Sequence, residues 1–395
     1  MSPAITYLDH AASTPMRPAA IEAMMPFLAT NYANPSGSHR FARAARLAVD
    51  ESRDLVAATI GCRPDEVVFT GCGTESDNTS ILGAVARAGG RAVCSAAEHH
   101  AVLHPVEATG GVVVGADRFG RIDLDELTAV LETAADDGGD GRGVCVVSVM
   151  AVNNEVGTIS DVAAVAEIVR RLAPGALVHT DAVQAPTWVD LRTLVDHVDL
   201  MSLSAHKFGG PKGTGILVER GGPRVAPLIV GGGQERGRRS GTHDVAGIVA
   251  TATALAITDA ERDAEDARLR TLRDGLVDSI TGSLDDVVET IGRDDDGVAK
   301  VAGSAHLCIG GVESEALLYL LDEAGVCASA ASACASGAME PSHVLAAMGV
   351  DRQVALGALR LSLGHATTAT DVERGAEVIV DAVSRLRSRS MALRS

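Results

Sequence analysis

Short apolar runs rich in β-branched residues recur along the first two-thirds of the chain. They are "EVVFT" (66–70), "RAVCS" (91–95), "GVVVGA" (111–116), "VCVVSVM" (144–150), "LVHTDAV" (177–183), "DLMSLSA" (199–205) and "GILVE" (215–219). Stretches of helical period lie between several of them, such as "DLDELTAVLETAA" (123–135) and "SDVAAVAEIVRRLA" (160–173). In the second, Val162, Val165, Ala166 and Val169 share one face. Continuous apolar strands alternating with amphipathic helices predict an α/β fold, a mostly parallel sheet covered on both faces. The pattern changes near residue 245. "VAGIVATATALAITDAERDAEDARLRTLRDGLVDSI" reads as a long helix with Leu269, Leu272, Leu276 and Ile280 at helical spacing and a charged, solvated middle. After "RDDDG" (293–297), a turn or loop, come two candidate strands and two or three helices. "ADDGGDGRG" (135–143) reads as a polar surface loop. The division expected is a large domain over 15–262 and a smaller α+β domain made of 1–14 and 263–395.

Composition narrows the function. A net charge of −18 argues against a nucleic-acid binder, which needs a basic face. No apolar run approaches the roughly 20 residues of a membrane span, and "MSPAITYLDHAAS" lacks the basic and apolar regions of a targeting segment. The seven cysteines form no CxxC pair and no zinc-ligand spacing. Reduced thiols and a cytoplasmic location are expected. With 2% aromatics the core must be built from Ala, Val, Leu and Ile.

The chain holds three lysines, and two of them, Lys207 and Lys212, sit in "SLSAHKFGGPKGTGIL" (202–217). A lysine at a strand end in a Gly-rich turn is either an exposed amine or a Schiff-base lysine, whose amine must be deprotonated to meet an aldehyde. Ser204 and His206 beside it can donate to a phosphate. "FTGCGTESDN" (69–78) is a strand, a turn and a helix start, a phosphate site in waiting or a plain βα turn capped by Thr74 or Ser76. "HTDAVQ" (179–184) puts Asp181 at a strand end, where it can pair with a pyridine nitrogen or cap a helix. "EHHAV" (98–102) offers His99 and His100 for stacking and proton transfer. "VNNEVGT" (152–158) offers Asn154 and Glu155 in a turn.

Together with "YLDHAASTP", "GGGQERGRRSGTHDV", "SACASG", "PSHVL" and "LRLSLG", these stretches resemble, in order and over roughly residues 5–385, the cysteine desulfurases of the fold-type I, pyridoxal 5'-phosphate-dependent class. The resemblance is to the class-V aminotransferase family and its group with the longer cysteine loop. It implies that Lys207 carries the cofactor as a Schiff base and that Thr74, Ser204 and His206 hold its phosphate. Asp181 would pair with the pyridine nitrogen, Gln184 with the ring hydroxyl oxygen, and His99 would stack on the ring. Asn154, also beside the cofactor, and Arg360 would bind the substrate carboxylate. Thr242 would reach the phosphate of a neighbouring subunit, which implies a homodimer.

Cys334 stands in "CASAASACASGAMEPSHVL" (327–345), too poor in bulky side chains to bury it, and reads as the reactive thiol on a mobile loop before a helix. Ala331 and Ser332 occupy a region where the family usually carries glycine. Cys62, Cys94, Cys145 and Cys308 read as small buried hydrophobes, and Cys72 lies near the phosphate turn. The implied reaction converts L-cysteine to L-alanine. Lys207 would remove the Cα proton, and the Cys334 thiolate would take the sulfur as a persulfide. The persulfide would pass to an acceptor protein for iron–sulfur cluster assembly or thiolation of tRNA or cofactors. The short basic end "SRLRSRSMALRS" leaves that acceptor open. Selenocysteine lyase or aminotransferase activity on the same fold, or a non-catalytic assembly partner, are the alternatives.

Overall fold

The computed structural model describes residues 5–136, 143–292, 297–330 and 342–394. In chain order the elements begin with β1 (Thr6–Tyr7), α1 (Pro18–Ala29), α2 (Arg40–Ile60), β2 (Val67–Thr70), α3 (Gly73–Ala88), β3 (Arg91–Ser95), α4 (His100–Ala108) and β4 (Val112–Val114). There follow α5 (Leu124–Asp136), β5 (Val144–Ser148), α6 (Val162–Leu172), β6 (Leu177–Asp181), α7 (Leu191–Val195), β7 (Leu200–Ser204), β8 (Gly215–Glu219) and α8 (Val245–Ser283). The last part holds β9 (Val287–Glu289), β10 (Ser304–Ile309), α9 (Ser314–Glu323), β11 (Val326–Cys327), α10 (His343–Ala347), α11 (Arg352–Ala355), β12 (Ala358–Ser362) and α12 (Ala369–Arg394).

Seven strands form one sheet in the order β2-β8-β7-β6-β5-β3-β4. Only β8 runs against its neighbours; the other pairings are parallel. The expected mostly parallel sheet is therefore present. The strands β2, β7 and β8 bury both faces in turn. Val67, Phe69, Met201, Leu203, Ile216 and Val218 point into one apolar core, and Val68, Leu200 and Leu217 into another. Burying each such side chain contributes about 1.5–3 kcal/mol, which is why these strands read as unbroken apolar runs. A third core lies against a smaller antiparallel sheet ordered β12-β10-β9. The 39-residue α8 joins them, with Ile248 and Leu255 in the first core and Leu269, Leu276 and Ile280 in the third. Asp244 starts this helix by accepting from Gly247 N at 3.0 Å.

Three local expectations need correction. The cap of α3 is Cys72, whose Sγ accepts from Glu75 N at 3.4 Å, not Thr74 or Ser76. Ala135 and Asp136 belong to α5 rather than to a loop. Beyond residue 297 there are three strands and four helices among the described residues, not two strands and two or three helices. The extra strand, β11, is two residues long and exists through parallel pairing with β1, Thr6 opposite Val326. No described helix is long and apolar enough to cross a membrane.

The segment between β8 and α8 is pinned by one carboxylate. Glu235 and Arg236 adopt positive φ, 48° and 58°, a conformation costly for residues with a side chain. Glu235 is held there by donors from three places: Arg53 (2.7 and 2.8 Å), Phe69 N (3.0 Å) and His243 Nε2 (2.7 Å). Burial alone would raise its pKa, but the hydrogen bonds from His243 and Arg53 outweigh this and bring it down to about 2. The folded value lies below the ordinary 4.5, so the stabilisation is present above pH 4.5 and is lost as pH falls toward 2. Glu235→Gln should cost about 3 kcal/mol at pH 7, read as a lower urea midpoint. The gap to wild type should narrow as pH drops through that window. Equal midpoints at pH 7 would contradict this account of the segment.

Candidate active site

Open parallel sheets place ligands at the carboxyl ends of their strands, and the polar side chains here collect at those ends. β6 ends on Asp181, whose Oδ1 accepts from Val183 N at 2.9 Å. β7 ends on Ser204, and the next turn carries His206 and Lys207. β2 leads through Gly71–Cys72 to the first turn of α3, which holds Thr74. At Gly73 a Cβ would lie 2.7 Å from Val183 and 3.2 Å from the Ser204 side chain, so only glycine lets these turns close up. β3 leads to His99, the cap of α4, whose Nδ1 accepts from Ala101 N at 3.1 Å. The neutral ring therefore carries its hydrogen on Nε2.

The turn after β5 divides labour between two asparagines. Asn153 is structural: its amide donates to Ala97 O and its carbonyl accepts from Glu155 N and Val156 N. Asn154 faces the cavity, and its main-chain oxygen accepts from Arg360 Nη1 at 2.9 Å. Arg360 comes from β12 of the smaller sheet, and its Nη2 pairs with Asp9 at 2.7 Å. Gln184 donates to Ala11 O at 2.8 Å.

Nine of the expected site residues thus line one cavity of about 310 Å³: Thr74, His99, Asn154, Asp181, Gln184, Ser204, His206, Lys207 and Arg360. Thr242 does not; it is exposed on the segment before α8. Cys334 lies outside the described residues. Cys94, Cys145 and Cys308 are buried as expected, and Cys62 is half-buried.

Burial and the positive charge of Arg360 push the Lys207 amine down to about 8, against the opposing pull of Asp181 and Asp9. Its Nζ donates to Ala11 O and Ala12 O. Burial raises the Asp181 carboxyl. Burial, with the Lys207 charge, lowers His99, and brings His206 to about 4 with help from Lys212. Both rings are neutral at pH 7.

Several residues of the site had no role assigned from the sequence. Asp9 anchors Arg360. Glu98, fully buried, accepts from Met150 N at 2.6 Å and ties the β5 turn to the β3 turn. Asp77 lies under the cavity, 3.6 Å from His179. Glu155 accepts from the hydroxyl of Ser342, the cap of α10. Asp9, Glu98 and Glu155 stand inside "YLDHAASTP", "EHHAV" and "VNNEVGT", so the motifs flagged their neighbourhoods but not their work.

The arrangement fits pyridoxal phosphate. The first turn of a 16-residue helix, two hydroxyls and an imidazole form an anion cradle that a Cβ at position 73 would fill. The buried Asp181 carboxyl lines the same cavity and has the chemistry to pair with a ring nitrogen, and one amine of lowered pKa borders it.

The sequence profile of the aminotransferase class-V family matches residues 6–374. The chain is 43% identical over 402 aligned positions to an IscS-like cysteine desulfurase of Mycobacterium tuberculosis, with 98% of each chain covered. Among solved structures, a NifS-like protein superposes with a TM-score of 0.87 at 33% identity, covering 97% of this chain and 100% of its own. SspA, solved in complex with cysteine, gives a TM-score of 0.74 at 28% identity, over 91% of this chain and 98% of its own. The architecture is that of the fold-type I enzymes. The chain belongs to the aminotransferase class-V family of pyridoxal-phosphate-dependent enzymes and, within it, to the cysteine desulfurases.

Proposed function

We propose that the protein moves the sulfur of L-cysteine onto Cys334 and releases L-alanine. The observation that carries this reading is the Lys207 amine, half-buried in a cavity that also holds a phosphate cradle, a carboxyl and an anchored guanidinium. Pyridoxal phosphate, when bound, supplies an aldehyde for the lysine and an electron sink for the substrate's Cα.

The residues divide the remaining work. Thr74, Ser204, His206 and the α3 amides hold the phosphate. Asp181 would pair with the ring nitrogen; burial raises its carboxyl to about 6, and a cation opposite it would favour the ionised form. Gln184 has a second amide hydrogen for the ring hydroxyl oxygen. His99, fixed as the Nε2–H tautomer, covers the ring and exchanges protons there. Arg360 and Asn154 grip the substrate carboxylate, with Asp9 and the Asn154 carbonyl setting the guanidinium plane. Lys207 would take the substrate's Cα proton, which requires its neutral form.

The sulfur step balances as an exchange. The Cys334 thiolate attacks the substrate sulfur, the Cβ–S bond breaks, and Cβ gains a proton. Cys334 keeps a persulfide and the rest leaves as alanine. That persulfide serves an acceptor protein in iron–sulfur cluster assembly or in thiolation of tRNA or cofactors, in the cytoplasm. The working unit is a homodimer in which Thr242 reaches the neighbour's phosphate. The exposed run Leu228, Ile229 and Val230, just before the segment that carries Thr242, supports an interface there. The catalytic thiol rides on the unit formed by 1–14 and 263–395, and the cofactor sits in 15–262.

Cys334→Ser should still change the absorbance of the bound cofactor on addition of L-cysteine but release no sulfur. Alanine and sulfide formed at the wild-type rate would remove Cys334 from the mechanism. The second test is the pH dependence of cofactor capture by cofactor-free protein. Only the neutral amine attacks the aldehyde, so the rate should climb with pH and level off above about 8. A rate still climbing steeply from pH 9 to 10.5 would mean that burial does not depress this lysine.

A further inference from the structure

The face of the smaller sheet behind Arg360 carries unmet polar atoms. β10 and β12 pair antiparallel with Ser304 opposite Ser362 and His306 opposite Arg360. These four share one face, while Ala305, Leu307, Leu359 and Leu361 fill the apolar core on the other. Facing residues of such a pair hold their side chains within about 5 Å at Cβ. His306 is 1% exposed and Arg360 5%. Arg360 Nε, His306 Nε2 and Ser304 Oγ are all buried, and none has a hydrogen-bond partner among the described residues. Three orphaned groups thus lie on neighbouring positions of one sheet face, where buried polar groups are otherwise satisfied.

We propose that His306 is a positioning residue for the substrate-carboxylate arginine: one buried water accepts from Arg360 Nε–H and donates to His306 Nε2, fixing the guanidinium plane against the cavity. The inference rests on the reading that Arg360 takes the substrate carboxylate. Ser304 Oγ gives the water a third partner, the usual number for a buried water.

The direction of the link follows from the far side of the ring. The Thr290 hydroxyl oxygen lies 2.7 Å from His306 Nδ1 and 3.6 Å from Cys308 Sγ. With its hydrogen toward the sulfur, it accepts Nδ1–H and leaves Nε2 as a bare acceptor. Burial, together with the charges of Arg360 and Lys300, keeps the ring neutral. Arg360 then has three anchors. Asn154 O takes Nη1, Asp9 takes Nη2, and the His306 link takes Nε. Without the third, the plane can pivot about the other two.

The test compares holoenzyme carrying H306L, H306Q or R360K with wild type, reading KM and kcat for L-cysteine and the Kd for L-alanine by absorbance titration. H306L should raise KM and the L-alanine Kd by about tenfold, the worth of one hydrogen bond to a charged group, with kcat within about twofold. H306Q, whose side-chain carbonyl can accept in place of Nε2, should stay within about twofold of wild type on both. Wild-type values for H306L, or H306Q behaving like H306L, would overturn the proposal. R360K should raise KM by about a hundredfold, since a bidentate grip is lost. An unchanged KM for R360K would instead sink the carboxylate reading. If H306L does not fold, T290V serves, since it keeps the ring but removes its orienting acceptor. It should raise KM about threefold, and an unchanged KM would overturn the proposal.

Discussion

The site depends on the charge balance around one half-buried amine. Strand-end turns shield Lys207 from much of the water, and Arg360 adds a second positive charge nearby. Both effects favour the neutral amine that the chemistry needs. Asp181 and Asp9 pull the other way and keep the value near 8 rather than far below it. The same Asp9 holds Arg360 in place. One ion pair thus sets both the guanidinium and the carboxylate, and any change to it alters the position of Arg360 and the basicity of Lys207.

The sheet explains why so many polar groups meet at one place. Its strands are mostly apolar, with a few buried polar residues such as His179 and Ser202, and two of them end on the polar residues that line the cavity: Asp181 closes β6 and Ser204 closes β7. Polar groups at the strand ends can be satisfied by the following turn or by a ligand, whereas within the strands they need partners on neighbouring strands, as His179 finds in Ser148 and Ser202. The smaller sheet contributes Arg360 from the opposite wall, so the cavity is bounded by two sheets and the first residues of the chain, Asp9 to Ala12.

Much of this was legible in the sequence, for stated physical reasons. β8 appears at its observed bounds, 215–219, because both its faces are buried and the run is unbroken. α6 was visible because its apolar face repeats at helical period. β9 was not, since it is three residues long and Val288 is largely exposed. β11 is held by a partner more than 300 residues away in sequence, which no local pattern reveals. Within the site, the residues on strand ends followed from motifs. Asp9, Glu98 and Asp77 act through residues of other elements, and only the folded chain brings them together. Cys72 escaped as a cap because a thiol is a weak acceptor, outside the Ser, Thr, Asp and Asn that signal a helix start.

With three lysines in the chain, attachment of the cofactor has few places to go. The direct measurement is to incubate the protein with pyridoxal phosphate, reduce with borohydride, digest, and locate the modified peptide by mass spectrometry. The account predicts a single adduct on Lys207. An adduct on Lys212 or Lys300 in its place, or none, would contradict it.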